Sequence, residues 1–174
     1  MKKLLLGTAL CLPLIAQAGW SDASGKPIPD TESMKSDGDF GAHLIITPDD
    51  KQFRQAWAAS KDKPKLDSVG SVKIGGKIGA VLVFQGCWPS ATGVCDVVSE
   101  FSVESPDGKK TAAGGGPVSN QPPLAPGILQ LGNASVGIGM SEKDPVGDYK
   151  LHATVTDKIK GRTLNLVARF KVTR

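Results

Sequence analysis

The chain has 174 residues, among them 21 glycines, 12 prolines and few aromatic residues: five Phe, three Trp and one Tyr. Its 21 basic and 17 acidic residues give a net charge of +4. This size and composition exclude two large independent cores, a bundle of membrane helices and a disordered polyelectrolyte, and they favour short strands joined by many turns.

Residues 1–18 predict a secretory signal peptide. The segment begins with two lysines, continues with an apolar run over residues 4–15 and ends with Ala-Gln-Ala at 16–18. This is the order of a secretory signal with its cleavage site. The run is shorter than the roughly 20 residues of a membrane span. A lipoprotein signal is a further alternative, because Cys11 lies in the apolar run. Such signals have a small residue before the cysteine, whereas here that residue is a leucine. We therefore expect cleavage after Ala18 and a bacterial periplasmic or secreted protein with no membrane span after cleavage.

The mature sequence would carry little net charge and one pair of cysteines. With two lysines removed, 19 basic and 17 acidic residues remain, and they are scattered, so no nucleic-acid partner is expected. Cys87 and Cys95 are expected to form a disulfide in an oxidising compartment. Their spacing lacks the C-x-x-C pattern of redox-active pairs. The bond would hold a loop that contains Trp88, Pro89 and Gly93 between two strands.

Two segments precede the strand-rich part of the chain. Residues 19–39 have no apolar period and predict a flexible N-terminal arm. A single β domain is expected over residues 40–174, beginning with a strand at FGAHLII. Next, Thr47 as the cap and Pro48 in the first turn predict one short helix, over about 48–59.

Alternation with a period of two residues then predicts several strands. They are expected over residues 71–74, 78–87, 95–104 and 128–140, and a final hairpin over 149–172 with its turn at 157–161. Gly137 and Gly139 indicate a bulge or a close backbone approach. The glycine- and proline-rich residues 112–127 predict an extended loop or crossover.

About seven short strands with frequent turns predict an immunoglobulin-like antiparallel β-sandwich with one short helix near the N-terminus. An open Greek-key barrel is the alternative. The sequence Gly-Asp-Tyr at 147–149 is similar to the tyrosine corner of immunoglobulin-like domains, although no cysteine follows Tyr149 two residues later.

Several segments also carry a resemblance to a protein family. The sequences FGAHLIITPDD, VFQGC, FSVESPDGK, LQLGNASVGI and DPVGDYKLHATVTDKIKGRTLNLVARFKV resemble a group of uncharacterised secreted or periplasmic bacterial proteins with an immunoglobulin-like β-sandwich. The match covers roughly residues 39–173. It implies the fold and the compartment, and no activity accompanies it.

No catalytic, metal or cofactor site is predicted. The sequence lacks the nucleophile elbow, the P-loop and the zinc-protease motif. His43 and His152 are expected to be ordinary sheet residues. Asp157 and the acids at 37 and 39 are expected to be solvated turn residues rather than calcium ligands.

Trp88 is the principal candidate for binding. An indole beside a disulfide offers a large contact area, either as an exposed anchor or as a cover for the end of the sandwich. We expect a noncatalytic binding module for an envelope or extracellular protein, acting through loops at one end of the sandwich. The candidate contacts are Trp88, Pro89 and Gly93 and the loop over residues 112–127. Addition of a partner's strand to a sheet edge is another route to such binding. A glycan-binding domain and a small hydrolytic enzyme built on scattered acids and a histidine are the alternatives.

Overall fold

The computed structural model describes residues 19–22, 24–60 and 67–174, so the predicted signal peptide lies outside the described residues. The described part is mainly β, with two sheets and one short helix. In chain order the elements are β1 Met34–Asp37, β2 Phe40–Thr47, α1 Asp50–Ala59, β3 Ser71–Lys73, β4 Lys77–Gln85, β5 Val97–Glu104, β6 Lys110–Ser119, β7 Gln130–Gly139, β8 Gly147–Asp157 and β9 Arg162–Thr173.

The strands divide between a four-stranded sheet, β1-β2-β4-β7, and a five-stranded sheet, β3-β9-β8-β5-β6. Every pairing is antiparallel except that of the short β3 with β9. The four-stranded sheet curls into a half-barrel. No helix in the described residues is long and apolar enough to cross a membrane.

The main core lies between the two sheets, and the predicted alternation of the last hairpin is confirmed. The side chains of β8 and β9 that alternate inward are buried: Tyr149, Leu151, Ala153, Val155, Leu164, Leu166, Ala168, Phe170 and Val172. The outward positions between them are polar or half-buried. One face of this sheet therefore supplies the core and the other faces water.

The helix covers the outer face of the four-stranded sheet. Phe53 packs there with Ile45 of β2 and with Val81 and Val83 of β4, so these strands are buried on both faces. The predicted capping residue is wrong. The carboxylate of Asp49, rather than the Thr47 hydroxyl, accepts a hydrogen bond from the backbone N–H of Gln52 at 2.9 Å, and α1 begins at residue 50.

Residues 110–119 form a strand, which corrects the predicted loop over 112–127. This strand, β6, is the last of its sheet and pairs only with β5, with register shifts beside its glycines. A Cβ atom at Gly115 would lie 2.4 Å from the carbonyl oxygen of Ser99, so the close pairing requires a residue without a side chain. Only residues 120–129 connect β6 to β7 as a loop.

The bulge predicted near Gly137 and Gly139 lies elsewhere in β7. Its register shifts between Ser135, which pairs with Val81, and Leu131, which pairs with Val83. The close approach is at Gly132, where a Cβ atom would lie 2.8 Å from a methyl group of Val118.

Two residues of the N-terminal segment, Trp20 and Met34, make specific contacts. Trp20 is buried, and its indole N–H donates to the carbonyl oxygen of Lys35 at 3.0 Å. Met34 begins β1 and pairs with His43 of β2. The boundary between an arm and the β domain at residue 40 stays a prediction.

Candidate functional site

Four connections meet at one end of the two sheets, which we call the loop end. They are the β1–β2 turn at 38–39, the β4–β5 loop at 86–96, the β6–β7 loop at 120–129 and the β8–β9 turn at 158–161. Contacts between the connections place them at the same end. The residues flanking the β8–β9 turn bond to the β1–β2 turn and to the β4–β5 loop, and the β4–β5 loop bonds to the β6–β7 loop.

The predicted disulfide is present and lies at the base of the β4–β5 loop. Cys87 and Cys95 are bonded, with their Cα atoms 5.9 Å apart, and both are buried. Inside the loop, the N–H of Ser90 donates to the carbonyl oxygen of Val94 at 2.8 Å. Gly93 has a φ of +83°, a conformation that favours glycine. The loop is therefore closed both by a covalent bond and by its own turn.

Asp157 joins this loop to the β8–β9 turn. Its carboxylate accepts hydrogen bonds from the backbone N–H groups of Trp88 at 3.0 Å, Ile159 at 3.0 Å and Lys160 at 3.3 Å. The residue is completely buried. The prediction that Asp157 is a solvated turn residue is therefore wrong. Three backbone N–H donors replace the water that its carboxylate would otherwise need.

Trp88 points partly to solvent from this anchored backbone. The residue is 45% exposed, and the ammonium group of Lys160 lies 3.8 Å from the centroid of its ring. A cation over an indole face is attracted by the ring electrons. Of the neighbours named with Trp88 in the sequence, Pro89 is half-buried and Gly93 is exposed. The indole therefore stands at the surface with one face occupied by a lysine.

Most of the other exposed large hydrophobic side chains lie in loops of the same end. Among the described residues, five large hydrophobic side chains are exposed, and four of them lie in the loops of the loop end: Trp88, Leu124, Ile128 and Ile159. The fifth, Val146, lies in the β7–β8 connection at the opposite end. The N–H of Cys95 donates to the carbonyl oxygen of Gln121 at 2.9 Å, which ties the β4–β5 loop to the loop that carries Leu124 and Ile128.

Ion pairs stabilise the polar border of the loop end. Lys158 lies 3.6 Å from the carboxylate of Asp96. Arg162 contacts Asp39 at 2.6 Å and donates to the carbonyl oxygen of Asp37 at 2.7 Å. Burial alone would raise the pKa of Asp39, but the hydrogen bond and the charge of Arg162 lower it on balance. Arg162 thus binds the carboxylate of Asp39 and the backbone of Asp37.

The two histidines lie away from this end and on different sheets. His43 is on β2, where burial lowers its pKa, and its ring lies edge-on to that of Trp20 at 6.4 Å. His152 is on β8 and its Nε2 lies 2.9 Å from a carboxylate oxygen of Glu104. The described residues contain no group of three or more His, Cys, Asp or Glu side chains able to hold a metal ion.

The sequence indicated Trp88, the disulfide and the predicted loop over 112–127, which contains Leu124. It did not indicate that Asp157, Ile128 and Ile159 lie at the same end of the sheets. Asp157 contacts Trp88 across 69 positions of the chain, which no local pattern reveals. The proline and glycine residues around Leu124 and Ile128 were the available signal that these side chains are exposed. An apolar residue in such a surface loop has little local structure to cover it.

Comparisons with known proteins place no function on these residues. No protein-family model matches the sequence, and no curated protein matches it. Among solved structures, the chain is similar to the Pseudomonas fluorescens alkylpurine DNA glycosylase AlkC, bound to DNA containing an abasic site analog. The identity is 15% and the TM-score 0.41, over 76% of this chain and 29% of that chain.

Two further structures are similar to the chain. One is a family 123 glycoside hydrolase from Clostridium perfringens, with 13% identity and a TM-score of 0.41 over 76% of this chain and 27% of that chain. The other is AvmM, which catalyzes macrocyclization in alchivemycin A biosynthesis, with 9% identity and a TM-score of 0.35 over 84% of this chain and 95% of that chain. The chain spans less than a third of the length of the glycosylase and of the hydrolase.

Proposed function

We propose that the protein is a noncatalytic binding module that engages a protein partner through the loop end. The observation that carries the proposal is the gathering there of four of the five exposed large hydrophobic side chains of the described residues. Grouped apolar side chains with a polar border are the usual composition of a protein–protein contact surface. Ion pairs of Lys158 and Arg162 supply that border here.

The fixed geometry of the surface also supports binding. The disulfide and the three hydrogen bonds of Asp157 hold the backbone beside Trp88 in one arrangement. Binding to a preorganised loop costs less conformational entropy than binding to a loop that becomes ordered only in the complex. Trp88 is the residue type most enriched among side chains that dominate binding energy.

A protein partner is favoured over a glycan by the composition of the surface. Sugar binding by stacking would need a second exposed aromatic ring beside Trp88. Its neighbours among the exposed large hydrophobic residues of the described segments are the aliphatic Leu124, Ile128 and Ile159. The separation of His43 and His152 onto different sheets favours a noncatalytic function over the hydrolytic alternative.

For the fold, we propose an immunoglobulin-like sandwich, with an open barrel as the alternative. The order of strands in the two sheets supports it, as does the Tyr149 hydroxyl, which donates to the carbonyl oxygen of Pro145 at 2.8 Å in the manner of a tyrosine corner. The disulfide, together with the signal-like residues 1–18, supports export to the periplasm or beyond.

Capture of proteins from the envelope of the native host tests the binding proposal. Three baits would be immobilised: the wild-type protein, Trp88→Ala, and Val146→Ala as the matched control, because Val146 is 46% exposed at the opposite end. A protein retained by the wild type and by Val146→Ala but lost with Trp88→Ala would support the proposal. Equal retention by all three baits, or no retained protein, would contradict it.

A further inference from the structure

The proline-rich part of the β6–β7 loop displays an uncharged segment at the loop end. Residues 121–127 read Gln-Pro-Pro-Leu-Ala-Pro-Gly, and residues 111–141 around them contain no charged side chain. Pro122, Leu124 and Pro126 are exposed. A partner that binds this segment therefore has to recognise its shape and its apolar surface rather than a charge.

The backbone of this segment is restricted before any partner binds. The proline ring fixes φ of Pro122 and Pro123 at about −65°. A residue that precedes a proline favours extended conformations, which applies to Gln121 and Pro122. The described residues contain no cis peptide bond, and none of them other than glycine has a positive φ. The segment therefore favours the polyproline II helix, which has three residues per turn and no internal hydrogen bonds.

The exposure of the side chains agrees with this period of three. Pro123 is half-buried, whereas its neighbours Pro122 and Leu124 are exposed. Consecutive residues of a polyproline II helix lie on three different ridges, so one ridge can pack on the protein while two face the solvent. The two outward ridges carry Gln121 with Leu124, and Pro122 with Ala125, and all four residues are exposed.

Both ends of the segment are fixed by hydrogen bonds. At its start, the carbonyl oxygen of Gln121 accepts from the N–H of Cys95 at 2.9 Å. At its end, the N–H of Ile128 donates to the carbonyl oxygen of Ala125 at 3.1 Å, and Gly127 has a φ of +80°. A proline followed by such a glycine at the centre of a turn is typical of type II. A partner therefore meets a preorganised segment, which reduces the entropy lost on binding.

Between these ends the backbone offers acceptors and lacks donors. Because the N–H groups of neighbouring residues point to opposite sides of a strand, the two adjacent prolines remove a donor from each side and oppose β pairing. Within the described part of the chain, no hydrogen bond reaches the carbonyl oxygens of Pro122, Pro123 or Leu124. Tyr and Trp side chains supply both a flat apolar ring and an O–H or N–H donor for such oxygens.

We propose that the partner of the loop end binds residues 121–125 as a polyproline II helix in a groove lined by aromatic side chains. Rings of the groove would pack on Pro122 and Leu124, and Tyr or Trp donors would bind the free carbonyl oxygens. This inference rests on the proposed function, because it names the chemistry of the partner of the same surface. It can fail while that function stands, since a flat apolar partner surface would not require the two prolines.

Photo-crosslinking from residue 124 in the native host tests the nature of the groove. Benzoylphenylalanine would replace Leu124, which is 51% exposed, or Trp88 in a parallel strain. We expect the same partner from both positions, joined to position 124 through a segment whose Trp, Tyr or Phe residues are needed for the adduct. An adduct at 88 without one at 124, or a partner segment that needs no aromatic residue, would overturn this inference alone. No adduct from either position would contradict the proposed function as well.

Matched variants of the full chain test the contribution of the prolines to the affinity for the purified partner. Pro122→Ala/Pro123→Ala should bind about fivefold more weakly or worse, because alanines leave the free segment less restricted and remove the rings. Pro122→Ala alone should weaken binding about threefold, which keeps the test available if the double variant unfolds. Pro106→Ala, an exposed proline of the β5–β6 turn at the opposite end, should bind as the wild type does. Unaltered binding by Pro122→Ala, or an equal loss with Pro106→Ala, would overturn the inference.

Discussion

The carboxylate of Asp157 accepts a hydrogen bond from the backbone N–H of Trp88 at 3.0 Å. One residue ends the strand β8 and the other follows the first cysteine of the disulfide. This bond connects two loops that are 69 positions apart in the sequence. It makes the orientation of the indole depend on the last hairpin as well as on the disulfide.

Asp157→Asn should disrupt this connection while preserving the β8–β9 turn. One carboxylate oxygen serves Ile159 and Lys160, and the other serves Trp88. In the variant an amide NH₂ would face the N–H of Trp88, so two donors would oppose each other. We expect the free energy of unfolding to fall by about 2 kcal/mol, measured by urea denaturation. Asp96→Asn, which removes an exposed pair, should lower it by less than about 0.5 kcal/mol. Equal losses would contradict the account.

Removal of the disulfide should lower stability without changing the strand content. Cys87 and Cys95 are eight positions apart. Closing a loop of this length lowers the entropy of the unfolded chain, which raises the free energy of unfolding by about 2.5 kcal/mol. We expect a Cys87→Ala/Cys95→Ala double variant to unfold at a correspondingly lower urea concentration, with an unchanged far-ultraviolet circular dichroism spectrum. Labelling of both thiols in the unreduced native protein would show that the bond is absent.

The protonation of Glu104 should contribute to loss of stability in acid. Hydrogen bonds from Lys150 and then from His152 lower the pKa of Glu104 from its ordinary value of 4.5 to about 2. The folded state therefore binds this proton more weakly than the unfolded state. The stabilisation is complete above pH 4.5 and is lost as the pH falls towards 2.

Unfolding free energies measured between pH 5 and 2 test this effect. Glu104→Gln should show a shallower loss of stability over that range than the wild type. Glu100→Gln, on the exposed face of the same strand, is the matched control and should follow the wild-type curve. An identical pH dependence of the Glu104→Gln variant and the wild type would refute the assignment.

Trp20 should stabilise the four-stranded sheet. Its buried ring lies against Gly41, where a Cβ atom would come within 2.9 Å of the indole. Trp20→Ala should lower the free energy of unfolding by about 3 kcal/mol. Gly41→Ala should cause a smaller loss, because the indole must shift but stays partly buried. If Trp20→Ala unfolds at the wild-type urea concentration, residues 19–22 do not pack as described.

Much of the fold could be predicted because its signals are local. The alternation that places Leu151 and Leu166 in the core is readable from the sequence. So is the helical spacing of Phe53 with Ala56 and Trp57, three and four positions later. β6 could not be predicted in this way. Its glycines lack side chains that would give a period, and the strand exists because β5 provides a partner for its backbone.

The candidate site could be predicted only in part for a related reason. Cys87, Trp88 and Cys95 are close together in the chain, so the order of residues is enough to indicate their loop. Their contact with Asp157 joins the loop after β4 to the end of β8. These strands belong to different sheets, so the contact depends on how the two sheets pack. Exposure of Leu124 likewise becomes visible only when the core has been identified.

The most direct test of the loop-end proposal is photo-crosslinking in the native host. A photoreactive benzoylphenylalanine would replace Trp88 in one variant and Val146 in another, since both residues are exposed to a similar extent at opposite ends. The account predicts a discrete adduct with a partner protein from position 88 and none from position 146. No adduct from position 88, or the same adduct from both positions, would contradict it.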